Sequence, residues 1–129
     1  MKTPVTTYGD TPSGTVDIIT IELFGQDFTL MSAGPQFKFN EAISFVIDCE
    51  NQEEVDYYWE KLTADGGKES QCGWLKDKFG VSWQVVPRAL NELMGDKDPG
   101  KAGRVMQAML KMKKIELKKL EEAYEGKES

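Results

Sequence analysis

The chain has no histidine at all among its 129 residues. That one absence removes Ser-His-Asp and Cys-His catalysis and every imidazole-ligated zinc or iron site. Any general acid or base must be Asp, Glu, Lys, Tyr or Cys, and a metal would need an all-oxygen shell or the cysteines. Cysteine is scarce too: Cys49 and Cys72 are the only two. Each adjoins an apolar run, and without a secretion signal both are expected as small, reduced residues rather than a redox pair. No apolar run approaches the roughly 20 residues of a membrane span. The amino-terminal MKTPVTTYGD lacks an apolar signal core. These features predict a cytoplasmic protein with no membrane partner.

Positive charge is also in deficit. The net charge is −6 and the pI is about 4.7, which argues against a nucleic-acid partner. Lys111, Lys113, Lys114, Lys118 and Lys119 form a local exception. They read as the solvated face of a helix, with a phosphate- or RNA-binding patch as the alternative. Hydrophobic residues at 40% and charged residues at 29% are an ordinary balance for one domain with a real core.

Local patterns give the elements. Val5 to Tyr8 is a short β-prone run, Gly9 to Gly14 a loop, and Thr15 to Phe24 a strand. Gly25-Gln26 turns that strand into Asp27 to Ser32, a hairpin. Ala42 to Cys49 is a strand, and Asn51 caps the helix after it, with Glu54 as its capping-box partner. Val55, Tyr58, Trp59 and Leu62 give that helix an inward face, and Gly66-Gly67 ends it. Ser70 to Lys76 and Val81 to Val86 are strands joined by Lys78-Phe79-Gly80, and Pro87 stops the second. The remainder is helical. Leu90, Leu93 and Met94 share one side of a short helix. Asp98-Pro99 opens another, with Ala102, Val105, Met106, Met109 and Leu110 as its apolar stripe. Lys118 to Tyr124 forms a last amphipathic turn or two.

Four stretches carry a resemblance: GPQFKFNEAISFVIDC at 34–49, QEEVDYYWEKL at 52–62, CGWLKDKFGVSWQVVP at 72–87 and KAGRVMQAMLKMKKIELKKLEEAY at 101–124. Together they resemble the PhnB-like members of the vicinal oxygen chelate superfamily, the glyoxalase, bleomycin-resistance and extradiol dioxygenase folds. Such proteins are often labelled demethylubiquinone methyltransferase domains. The resemblance implies an α+β fold of glyoxalase-type βαβββ modules whose curved sheets enclose a pocket. It divides the chain into an incomplete first module at 1–33, lacking its opening strand and helix, a complete second module at 34–87 and a helical tail at 88–129. A sheet edge left open in the first module would favour a homodimer.

Metal-dependent relatives take ligands from the first and last strands of each module. The matching positions in the second module are Ala42 and Gln84, and Phe28 to Met31 carries no acid. A neutral amide is a weak ligand, so neither a metal nor another cofactor is expected. Alternation puts Ala42, Ser44 and Val46 on one face with Ser82, Gln84 and Val86. Ile43, Phe45, Ile47, Val81, Trp83 and Val85 would then pack against helices. Ser44, Cys72, Ser82 and Gln84 are the candidate ligand-binding residues, for a small organic molecule. An enzyme would instead use Asp48, Glu69, Asp77 or Cys72, although Asp48 and Asp77 lie at strand ends, where capping roles dominate. A third reading is an interaction protein that dimerises through Met106, Met109 and Leu110. Methyl transfer by a doubly wound domain would need a glycine-rich turn between a strand and a helix. Gly66-Gly67 follows a helix, and the Gly9 to Gly14 loop precedes a strand.

Overall fold

A computed structural model describes residues 4–127. The chain forms two compact units, Met1–Lys38 and Phe39–Ser129.

The first unit is an antiparallel meander of β1 (Thr6–Thr11), β2 (Gly14–Leu23) and β3 (Gln26–Met31). β1 extends through Gly9 and Asp10, which the sequence reads as loop. A register shift between Tyr8 and Thr11, with Asp10 at φ 55°, absorbs the irregularity. The β2–β3 turn is Phe24-Gly25 rather than Gly25-Gln26, because Leu23 pairs directly with Gln26. Both turn residues have positive φ, 53° and 79°, as a two-residue hairpin whose twist matches its strands requires. Val16 is buried in this unit, whereas Tyr8, Leu23, Phe24, Leu30 and Met31 are exposed.

The second unit contains β4 (Ser44–Cys49), α1 (Gln52–Thr63), β5 (Lys68–Glu69), β6 (Trp74–Lys76) and β7 (Ser82–Pro87), a βαβββ order. Its sheet runs β4-β7-β6-β5, with β4 parallel to β7 and the other neighbours antiparallel. α1 covers one face. Cys49, Val55, Trp59, Leu75 and Val85 form the core between helix and sheet, with Ile47, Tyr58, Leu62 and Trp83 against it. Phe45 stacks on Trp83 at 5.2 Å between ring centres. Ile43 departs from the expected pattern: it precedes the strand and is 75% exposed.

Asn51 caps α1, its Oδ1 accepting from the Glu54 N–H at 2.9 Å. Glu54 closes back one residue further than a capping box requires, accepting from the Glu50 N–H at 2.9 Å. α1 stops at Thr63, ahead of the two glycines. A 3-10 turn (Ala64–Gly66) follows, and Asp65 takes a left-handed conformation there.

The expected strand Ser70 to Lys76 is broken in two. Cys72 and Gly73 both have positive φ, 57° and 84°, and leave the extended region between β5 and β6. The reason lies in the helical tail: the Cys72 N–H donates to Met112 C=O and the Gly73 N–H to Lys113 C=O, each at 2.8 Å. A side chain on Gly73 would meet Ile115 Cγ1 and Val85 O, both at 3.1 Å.

The tail comprises α2 (Arg88–Met94), α3 (Pro99–Leu110) and α4 (Leu117–Tyr124). Asp98 caps α3 as the sequence predicts, accepting from the Gly100 N–H at 2.9 Å. Leu90, Val105, Met112, Ile115 and Leu120 form a second core, joined by Val86 from β7. Met106 and Leu110, read as part of the inward stripe, are exposed instead. Gln52 on α1 ties the tail to the module, donating to Ile115 C=O at 3.0 Å and accepting from the Leu117 N–H at 2.8 Å. Lys114 adds an ion pair to Asp56 at 2.7 Å. Among the described residues no helix is long and apolar enough to cross a membrane.

Candidate functional site

The sheet of the second unit has a face that α1 does not cover, and strand register lays out what it carries. Side chains directly opposite on neighbouring strands point the same way. Lys76, Ser82 and Ser44 therefore form one row across β6, β7 and β4, and Trp74, Gln84 and Val46 form the next. Asp48 and Val86 make a third row, where Val86 is taken into the tail core. The alternation expected for Ser44, Val46, Ser82, Gln84 and Val86 is what the register gives, whereas Ala42, expected on the same face, lies in the turn before β4 and outside the pairing.

The polar groups here are unevenly satisfied. Gln84 Nε2 donates to Ser44 Oγ at 2.9 Å. Ser82 is 1% exposed, and its Oγ has no hydrogen-bond partner among the described residues. A buried hydroxyl in that condition bears its full desolvation penalty. Across the first row, Lys76 on β6 forms an ion pair with Glu41, which precedes β4. β7 lies between those strands, and Lys76 stands directly opposite Ser82 on it. The Lys76 contact holds the Glu41 carboxyl below its ordinary pKa, helped by a backbone hydrogen bond.

Cys72 lies apart from these rows, in the turn before β6, with its backbone fixed to Met112. Cys49 is fully buried. Burial, followed by the nearby Glu54 and Asp48 charges, pushes its thiol up to about 11. Both cysteines are free.

The acids considered for catalysis have structural partners. Asp77 accepts from the Phe79 and Val81 N–H groups at 2.9 and 3.0 Å and from Trp83 Nε1 at 2.9 Å, building the β6–β7 turn. Glu69 accepts from Trp59 Nε1 at 2.8 Å, and Asp48 pairs with Arg88 at 3.1 Å. Among the described residues no three Cys, Asp or Glu side chains gather as a metal shell. The first two rows of the open face offer two hydroxyls, an amide and an ammonium, and the nearby Glu41 and Asp48 carboxylates are taken up by Lys76 and Arg88. That donor set does not fit a divalent cation, which favours carboxylate oxygens.

A shallow groove of about 680 Å³ lies elsewhere, between α3 and α4, and includes Arg104, Lys111, Lys113 and Lys127. Arg104 is engaged there, donating to the Ala123 and Tyr124 carbonyls at 2.9 and 2.8 Å. Of the lysine cluster, Lys114 and Lys119 are held in ion pairs with Asp56 and Glu116.

Sequence reasoning missed Lys76, Trp74 and Glu41. The first two were readable once the β6–β7 turn was placed, because both share the parity of Ser82 and Gln84. Glu41 carried no such signal, since its partner lies two strands away.

A family model described as 3-demethylubiquinone-9 3-methyltransferase matches residues 2–86. A solved structure from Bacillus cereus, titled as a PhnB protein of that same description, is 28% identical with a TM-score of 0.52. That match covers 66% of this chain and 77% of the other. No curated protein matches the chain. The βαβββ unit, the mixed sheet and the tail helices agree with the glyoxalase-type fold expected from the sequence. With the family model spanning most of both units, the chain belongs to the PhnB-like 3-demethylubiquinone-9 3-methyltransferase family.

Proposed function

We propose that the open sheet face of the second unit binds a small organic molecule, and that the protein is a metal-free binding module working as a homodimer in the cytoplasm. The orphaned Ser82 hydroxyl carries this reading. A polar group this well buried is normally paired, and a ligand atom would supply the partner. Ser44 and Gln84 add a hydroxyl donor and an amide carbonyl beside it. Cys72 belongs to the proposal as an outlying contact, at the turn leading into β6.

The dimer rests on a separate observation. A three-stranded meander needs an apolar face covered to be stable. Here Leu23 and Leu30 stand exposed on one face and Tyr8 and Met31 on the other, and a second copy of the chain would cover one of these faces. Methyl transfer enters through the family's description. Both described junctions from strand to helix, Glu50-Asn51 before α1 and Pro87-Arg88 before α2, lack the glycine-rich turn that a doubly wound cofactor site uses. Binding is therefore the better-supported reading.

A fragment screen followed by amide NMR tests it. Compounds should move the backbone signals of Ser44 and Ser82 and the side-chain amide of Gln84 together. Binders that leave these signals unmoved would refute the site. Native mass spectrometry reads the dimer and any retained metal: a monomer refutes the first claim, a stoichiometric metal the second.

A further inference from the structure

The face has a chemical polarity that narrows its ligand. Its first row, Lys76-Ser82-Ser44, is cationic and hydroxylic. Its second, Trp74-Gln84-Val46, places an indole and an aliphatic side chain on either side of an amide. The rows are about 7 Å apart and about 10 Å wide across three strands, the footprint of a single ring with one polar substituent. The third row is closed by the tail through Val86. A ligand on the open part therefore lays its apolar body on Trp74 and Val46 and its polar head on Lys76 and Ser82.

Lys76 already holds an acid. Its partner Glu41 is an exposed residue in a turn before β4, outside the sheet. Lys76 stands directly opposite Ser82 on the neighbouring strand, so an anion that takes the ammonium from Glu41 lies beside the orphaned hydroxyl.

We infer that the ligand is a small apolar acid, its carboxylate or comparable anionic head replacing Glu41 on Lys76 and accepting from Ser82. The inference rests on the proposed binding role of this face. Glu41 is then an internal competitor, a carboxylate that occupies the head-group position while the face is empty. No covalent step is involved; one ion pair exchanges for another, and the ligand's oxygen gains the Ser82 donor.

Benzoate and its neutral isostere benzamide are suitable probes, titrated by amide NMR into the wild type, Glu41→Gln and Lys76→Met. Lys76→Met keeps an aliphatic stem opposite Ser82, and Lys76→Gln serves as a second variant if the first does not fold. Benzoate should shift Ser44, Ser82 and Gln84. Removing the exposed competitor should tighten benzoate about two- to fivefold. Removing the ammonium should weaken benzoate roughly tenfold. Benzamide affinity should be unchanged by either substitution. Equal benzoate affinity in all three proteins overturns the acid inference. If benzamide still moves the face in that case, the binding role survives without it. If neither compound moves the face in any of the three proteins, Glu41→Gln included, both readings fall, because competition from Glu41 has then been removed.

Discussion

Replacing Ser82 with alanine should make this protein more stable, although truncating a fully buried residue ordinarily does the reverse. The Ser82 Oγ is desolvated and unpaired. An unsatisfied buried hydroxyl costs about 1–3 kcal/mol, and its removal abolishes that cost. Against this stands the void left by one oxygen, about 1 kcal/mol or less where a methyl-sized gap would cost about 1. The expected net gain is about 1 kcal/mol, read as a higher urea midpoint at unchanged m-value and a Tm higher by about 3–8 °C. The same substitution should weaken any ligand of the open face, so stability and binding move in opposite directions. A Ser82→Ala protein less stable than wild type by more than about 0.5 kcal/mol would refute the reasoning, because the hydroxyl would then be shown to have a partner in the ligand-free fold.

Three further outcomes are expected. Gln52→Ala removes two hydrogen bonds to tail backbone and should cost about 1–3 kcal/mol, with faster proteolysis after Lys111; Gln52→Glu, which keeps only the acceptor for Leu117 N–H, should be no better. The Cys49 thiol, raised from 9.0 to about 11, keeps its proton in the fold after an unfolded chain has lost it, so stability should be intact below pH 9 and fall between pH 9 and 11. Cys49→Ala should flatten that slope in urea titrations across the interval. Phe24→Asn should stabilise the β2–β3 hairpin by about 1 kcal/mol, since Phe24 sits at positive φ while 102% exposed; hydrogen exchange of the Ile19 and Leu30 amides would report it as slower opening.

The parts legible in the sequence are those set by neighbours a few residues apart. Asp98-Pro99 announced α3, Asn51 announced α1, and the alternation of β4 and β7 sorted Ser44, Ser82 and Gln84 from Ile47 and Val85. What failed was decided at long range. Ser70 to Lys76 looks like one strand until the carbonyls of Met112 and Lys113 claim the Cys72 and Gly73 amides. Met106 and Leu110 match a helical stripe, yet the face that α3 turns to the core is Val105, Ala108 and part of Met109. The candidate site divides the same way. Its hydroxyls and amide follow from parity, whereas Lys76 opposite Ser82 depends on pairing between strands that the sequence does not print.

The parallel pairing of β4 with β7 has a consequence for how the protein is made. These are the first and last strands of the βαβββ unit, and Ser44 meets Ser82 only after every residue between them has left the ribosome. At about 5–20 residues per second, that interval is roughly 2–8 seconds. During it, β4 presents Phe45, Val46 and Ile47 with no strand beside them, a nascent edge for a chaperone or a neighbouring nascent chain to seize. The binding face thus appears at a single moment of synthesis, when β7 slots between β4 and β6, and a ribosome paused before Val81 would hold a chain in which Ser44 and Val46 still lack the strand that carries Ser82 and Gln84.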